Sequence, residues 1–223
     1  MAALQSGATT LREAAYGRII ELLNAGRLKP GTMVSQRELV ERTGSTLGAV
    51  REAIPRLEAE GLLIPLRQRG LMVPAIDIDF VRNAYDLRRI LEMEAIRNLP
   101  RQVEPERLER WEREHLALLA EMERAPSAAL ADRVQAMDWA LHQELIDSLG
   151  NALISSVYRV NAIKVRMTAQ ARLRVTMGSA VRVLNEHLAF LRALRAGEIE
   201  IAAGALERHL RQSLTQALGG DVG

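Results

Sequence analysis

Apolar residues are spaced in two different ways along this chain. Up to about residue 74 they fall in short groups broken by glycine, and beyond it they recur every three to four residues over long stretches. In the first part, Ser35 and Glu38 form an S-x-x-E helix start, in which hydroxyl and carboxylate each cap an orphan N–H. Leu39 and Val40 give that short helix an apolar side, and Gly44 ends it. A second helix opens at Ser45 or Thr46, carries Val50, Ile54 and Leu57 at helical spacing, and stops at Gly61. Two apolar runs follow, Leu62-Leu63-Ile64 and Leu71-Met72-Val73, joined by Arg67-Gln68-Arg69-Gly70. This pattern predicts a hairpin with a basic, glycine-ended tip. An earlier helix from about Thr10 to Ala25 is opened by a Thr10/Glu13 capping box.

From residue 77 onward the pattern predicts six amphipathic helices. They span about Asp77–Leu99, Glu104–Arg124, Ser127–Leu149, Ala152–Met177, Ser179–Ala196 and Glu198–Leu218. Pro100, Gly150-Asn151, Gly178 and Gly197 mark breaks between them. Short breaks between long amphipathic helices imply an antiparallel bundle. The expected fold is mainly α: a winged helix-turn-helix over residues 1–75 and an all-α bundle of about six helices over residues 76–223.

Two short helices, a tight turn and a basic hairpin suit the placing of a helix in the major groove and a wing on the DNA backbone. The plainer alternative is a small three-helix domain that contacts protein. Charge adds a little to the choice. Residues 1–75 hold ten basic and seven acidic residues, against twenty and twenty-one in the rest, within an overall net charge of +2. There is no cysteine, so disulfides, thiolate metal sites and thiol nucleophiles are excluded. No apolar run approaches the length of a membrane span, and MAALQSGATT lacks the basic start and apolar core of a signal peptide. A cytoplasmic location is expected, with no membrane partner.

All four histidines lie in the bundle segment, and three of them stand in a suggestive arrangement. Asp138 and His142 are four residues apart and share a helix face, while His187 and His209 lie on the next-to-last and last helices. Three imidazoles and one carboxylate meeting in a bundle core would suit zinc, nickel or manganese. The competing reading is a surface pair and capped core histidines. His115 matches no such pattern and reads as a surface residue. Between Asp147 and Glu186 the chain has no acidic residue but carries Arg159, Lys164, Arg166, Arg172, Arg174 and Arg182. These form a solvated basic face, or one or two of them point inward to hold a carboxylate as a bidentate fork. Arg166, with Ile163, Met167 and Gln170 nearby, is the favoured candidate for the inward role.

The stretch from Ile19 to Pro74 resembles the GntR family of transcription regulators. The resemblance rests on Gly26…Pro30-Gly31, Arg37-Glu38-Leu39, Val50-Arg51-Glu52-Ala53, Arg56-Leu57-Glu58-Ala59-Glu60-Gly61-Leu62 and Arg69-Gly70, all in order. It implies a DNA-contacting role for Arg37 and Arg51 on the two helices, with Arg69 and Gly70 entering the minor groove. Two features depart from the pattern. Thr46-Leu47 stands where the family has Ser-Arg, so Thr46 can cap a helix and reach a phosphate but Leu47 cannot read guanine. Pro55 lies inside the recognition helix, two turns after Gly48, and is expected to bend or shorten it.

The later part is similar to the FadR C-terminal-domain (FCD) subgroup, in its shorter six-helix (VanR-like) branch. Asp138…His142, Glu186-His187 and His209-Leu210 match the subgroup's metal-ligand pattern, and Ala193–Glu198 resembles its turn, with Glu198 where aspartate is usual. The resemblance implies a divalent metal held by Asp138, His142, His187 and His209. Tyr85–Glu92 is similar to the first-helix signature, in which the arginine faces the ligand cavity; here that is Arg88, for which a salt bridge to Glu92 is the alternative. The expected protein is a homodimeric regulator binding a palindromic double-stranded operator under the control of a small organic acid. Two other classes are weighed against it: a metal-dependent hydrolase, for which no H-E-x-x-H, nucleophile constellation or phosphate loop is present, and an architectural DNA-binding protein indifferent to small molecules.

Overall fold

Helix-breaking residues and caps set the element boundaries seen in the computed structural model, which describes residues 10–67, 69–168 and 175–220. The chain divides between Phe80 and Val81 into two compact units. The first holds α1 (Leu11–Asn24), β1 (Met33–Val34), α2 (Gln36–Thr43), α3 (Leu47–Ala59), β2 (Ile64–Leu66) and β3 (Gly70–Met72). Thr10 and Glu13 cap α1 reciprocally. Ser35 caps α2 by accepting from the Glu38 N–H, but Glu38 does not reach back; its carboxylate pairs with Arg42 instead. Gly44, at φ 62°, ends α2 in the left-handed conformation that glycine adopts without strain.

Three expectations for this unit are corrected. The first wing strand starts at Ile64, because Leu62 and Leu63 fold back to bond the Leu57 carbonyl and are buried in the core. The sheet has a third member, β1, which pairs with β3 in the order β1-β3-β2. Helix α3 is not shortened at Pro55 but runs on to Ala59. Pro55 lies on the exposed face, so its ring points away from the core, and the Arg51 carbonyl that loses its partner is at an exposed position open to water.

The second unit is built from α4 (Ile78–Asn98), a 3₁₀ turn at Leu99–Arg101, α5 (Pro105–Arg124), α6 (Ala128–Asp147), α7 (Ala152–Thr168), α8 (Met177–Arg195) and α9 (Ile199–Ala217). Proline at the first position starts α5, where its missing N–H costs nothing. Helix α8 packs on α5, α6 and α9. Ile96, Leu99, Trp111, Leu145, Phe190 and Leu206 form the heart of the larger core, and Leu118, Met122, Val134 and Leu184 that of a second one. One boundary differs from the sequence reading. Gly178 does not separate α7 from α8 but lies inside α8, whose start is fixed by Thr176 through reciprocal bonds with Ser179. Gln170, Arg172 and Arg174 lie outside the described residues. Among the described residues no helix is long and apolar enough to cross a membrane.

Candidate metal centre and DNA-contacting head

Helices α6, α8 and α9 bring one carboxylate and three imidazoles to a single point. Asp138 and His142 come from consecutive turns of α6, His187 from α8 and His209 from α9, and all four are buried. Asp138 Oδ1 lies 3.3 Å from His187 Nε2, 3.5 Å from His142 Nε2 and 3.7 Å from His209 Nε2. His142 Nε2 and His209 Nε2 are 3.1 Å apart, and the four ligand atoms all lie within 4.8 Å of one another. Four ligands at about 2.0–2.1 Å from one tetrahedral ion would be separated by about 3.3 Å, so these spacings fit one ion.

The far side of each ring determines which nitrogen is bare. His142 Nδ1 donates to Glu92 Oε2 at 2.7 Å, and His209 Nδ1 donates to Glu186 Oε2 at 2.7 Å. An ionised carboxylate only accepts, so both rings carry a proton on Nδ1, and in its neutral form each ring turns an Nε2 lone pair inward. His187 Nδ1 meets His115 Nε2 at 3.1 Å. Its own Nε2 is buried and lacks a hydrogen-bond partner, despite the nearby Asp138 oxygen. Two bare nitrogens 3.1 Å apart repel unless a proton or a metal ion lies between them.

Burial and charge act against each other here. Burial lowers the pKa of His187 well below the ordinary imidazole value, and that of His209 as well. For His142 burial also favours the neutral ring, but the Glu92 and Asp138 carboxylates outweigh it and raise the pKa. Burial would raise Glu92, yet Arg88 and His142 hold it down at about 2. Burial likewise opposes ionisation of Asp138, but the His142 and His187 imidazoles beside it outweigh that and hold its pKa well below the usual carboxylate range.

Two small cavities adjoin the cluster. Arg88 and Trp139 line both; Arg166, Tyr158 and His142 line the first, and Asp138 and Arg182 the second. Arg88 combines the two alternatives read from the sequence, since it faces both cavities while its Nε donates to Glu92 Oε1 at 2.7 Å. Arg166 sits over the Trp139 ring at 4.9 Å with its Nε buried and unpartnered, and burial lowers its pKa. Its cavity neighbours on α7 are Tyr158, Asn161, Ala162 and Val165, not the expected Ile163 and Met167, which the helix turns into the core. Of the remaining basic residues, Arg159 is exposed, and Arg182 binds Glu186 and Gln216.

In the N-terminal unit the DNA-contacting candidates are exposed. Arg37 on α2 is 90 % exposed beside Glu41, and Arg51 on α3 donates its Nε to Gln36 Oε1 at 3.1 Å. Thr46 caps α3 by accepting from the Ala49 N–H, and Leu47, its first residue, is 43 % exposed. Arg69 is exposed at the wing, beside Gly70 at φ 90°. A Cβ on Gly70 would lie 3.2 Å from the Val34 carbonyl oxygen of the neighbouring strand. Gly70→Ala is therefore expected to destabilise the head by about 1–2 kcal/mol, the usual cost of a left-handed non-glycine residue. Chemical denaturation would measure this, and an unchanged midpoint would mean the wing relaxes freely.

Comparison with known proteins agrees with this geometry. The model of the bacterial regulatory proteins of the gntR family matches residues 11–73, and that of the FCD domain matches residues 83–212, more than half the chain. This chain is a GntR-family transcriptional regulator with an FCD domain. An HTH-type transcriptional regulator from Paraburkholderia xenovorans, BphR, is 26 % identical over 92 % of this chain and 84 % of its own. The structure of E. coli McbR/YncC superposes over 95 % of this chain and 99 % of that one, with a TM-score of 0.77 at 16 % identity. A transcriptional regulator from Rhodococcus sp. RHA1 covers 95 % and 99 % respectively, with a TM-score of 0.75 at 20 % identity. Regulators of this family bind DNA through the winged helix-turn-helix and are not enzymes.

Sequence reasoning missed one part of this FCD domain altogether. His115 is not at the surface; it is 1 % exposed, with Nδ1 2.7 Å from the Trp111 carbonyl and Nε2 against His187. Its place on the inward face of α5, four residues from Trp111, was a detectable sign of burial. Glu92 was considered only as a partner of Arg88. It also accepts from His142 and, over 2.5 Å, from the Tyr158 hydroxyl.

Proposed function

We propose that this regulator is a dimer whose operator affinity is set by a small organic acid bound at a divalent metal ion in the FCD domain. Asp138, His142, His187 and His209 would hold the ion. What carries this reading is the inward convergence of three Nε2 atoms on one carboxylate oxygen, with every Nδ1 engaged behind them. The ion would supply fixed positive charge and open coordination positions to an oxygen ligand. Zinc, nickel and manganese all suit the donor set.

Charge favours an acid as the effector. Around the cluster, Arg88, Arg166 and Arg182 face the carboxylates Glu92, Asp138 and Glu186. These balance, so a divalent ion adds two uncompensated positive charges in a buried place. Such charges are costly unless an anion joins them. Arg166, with an unpartnered Nε over the Trp139 face, is the group placed to meet that anion, and Arg88 flanks it. A hydroxy or sugar acid, with a second oxygen able to chelate, matches both needs.

The DNA side follows from the head. Arg37, Thr46, Arg51, Arg69 and Gly70 would contact the operator, and two heads of a dimer would read half-sites of a palindrome about one helical turn apart. Ile90 on α4 and Leu153 and Val157 on α7 are exposed apolar side chains of the kind a second copy would cover. The effector would act by population shift, favouring one spacing of the heads. A location in the cytoplasm goes with this reading. Its test is a thermal-shift screen of organic acids with added zinc, nickel or manganese, repeated with chelator and with Arg88→Ala and Arg166→Ala. Acids should raise the melting temperature, and chelator and either substitution should blunt the rise. Shifts only with neutral or cationic compounds, and parent-like responses from both variants, would sink the acid-binding reading.

A further inference from the structure

We infer that His115 is a positioning residue for metal binding: it fixes the His187 ring so that its Nε2 lone pair, and not a proton, faces the cluster. This rests on the metal reading above but concerns a residue outside the four ligands. The argument starts at the Trp111 carbonyl. A carbonyl oxygen can only accept, so the His115 nitrogen 2.7 Å away, Nδ1, carries the proton. The ring is buried, and among the described residues its two nitrogens meet only the Trp111 carbonyl and His187, with no carboxylate in contact to hold a second proton. Its Nε2 is therefore a bare acceptor. The His187 nitrogen that meets it at 3.1 Å must then be the donor, so His187 is protonated on Nδ1. The remaining nitrogen of His187, the buried Nε2 with no hydrogen-bond partner, is left as a lone pair directed at the Asp138 side of the cluster.

His142 and His209 obtain the same orientation from carboxylates. His187 has no carboxylate behind it. A neutral imidazole takes that place, and a backbone carbonyl of α5 in turn fixes its own tautomer. The choice of neutral partner has a physical consequence. A third carboxylate behind the rings would add another buried negative charge, whereas His115 orients His187 without adding charge. The ring pair, with centroids 5.2 Å apart at an interplanar angle of 61°, meets edge to face. Helix α5 thus takes part in the site although it supplies no ligand.

Cobalt(II) titration of the full-length protein, read by its visible absorption and by chelator competition, tests this on the parent, His115→Leu, His115→Gln and His187→Ala. Loss of a group that orients a histidine ligand weakens metal binding by about 10–100-fold, and His115→Leu should fall in that range. His115→Gln keeps an oxygen that can accept from His187 Nδ1 and should recover most of the affinity. Equal affinity in parent and His115→Leu overturns the inference. So does an equal loss in the Leu and Gln variants, which would mean that only packing matters. A parent that binds no cobalt overturns the metal reading itself, and the two failures are thereby distinguished. Two-bond ¹⁵N–¹H correlation spectra of the parent give a check that needs no variant to fold. His115 should read as protonated on Nδ1 and bare on Nε2, and the reverse tautomer would end the argument.

Discussion

Protein purified without chelator is expected to carry close to one equivalent of a divalent metal, and His187→Ala to carry almost none. His187 is the ligand whose loss should be felt most sharply. Its Nε2 lies nearest to Asp138 Oδ1, at 3.3 Å, and has no hydrogen-bond partner among the described residues. Removing it leaves two imidazoles and a carboxylate and exchanges a packed ring beside Phe190 for a void. The loss in affinity should exceed the roughly 10–100-fold typical of outer-sphere changes. Asp138→Asn separates charge from shape. It keeps the side-chain volume but removes the negative charge among three lone pairs, so the metal should again be lost while the metal-free protein melts near the parent. Elemental analysis of all three proteins, prepared side by side, is the measurement. Equal metal content in parent and His187→Ala would remove the site.

Much of this site was legible because it depends on local spacing. Asp138 and His142, four residues apart, had to share a face of any helix containing them. His187 and His209 could be offered as partners from the residues alone, but only resemblance to a family favoured that grouping over the plainer one, since no spacing rule links three different helices. His115 escaped because its role is defined by a ring 72 positions away and by the Trp111 carbonyl, and neither leaves a mark in a local pattern. Arg88 shows why alternatives had to stay open. Its Nε is used by Glu92 while the side chain also lines both cavities, and periodicity cannot divide the atoms of one guanidinium. The fold misses have similar causes. A strand of two residues, Met33–Val34, is too short to alternate visibly and exists only because β3 lies beside it. Gly178 was read as a break by composition, but Thr176 and Ser179 form a cap that places it within the first turn of α8.

Arg51→Ala is expected to weaken operator binding by about 1–3 kcal/mol, roughly five- to 150-fold, if the guanidinium makes a bidentate contact to a guanine edge. The head is arranged for such a contact. Arg51 stands on the exposed face of α3, one turn after the Thr46 cap, and Gln36 of α2 steadies its Nε while leaving both terminal nitrogens for DNA. A neutral partner holds the side chain without neutralising it. Arg37 offers the contrast: it is 90 % exposed and 3.4 Å from the Glu41 carboxylate, a surface ion pair worth little. Its replacement should reduce the dependence of binding on salt by about one phosphate contact and leave sequence preference intact. Leu47, exposed at the start of α3, should favour thymine, whose methyl group is the apolar feature of the major groove. Leu47→Arg would then shift preference toward guanine at that position. An operator selected from random duplexes by the parent protein allows all three variants to be compared at matched salt. Unchanged affinity in Arg51→Ala would mean that a different face of α3 enters the groove.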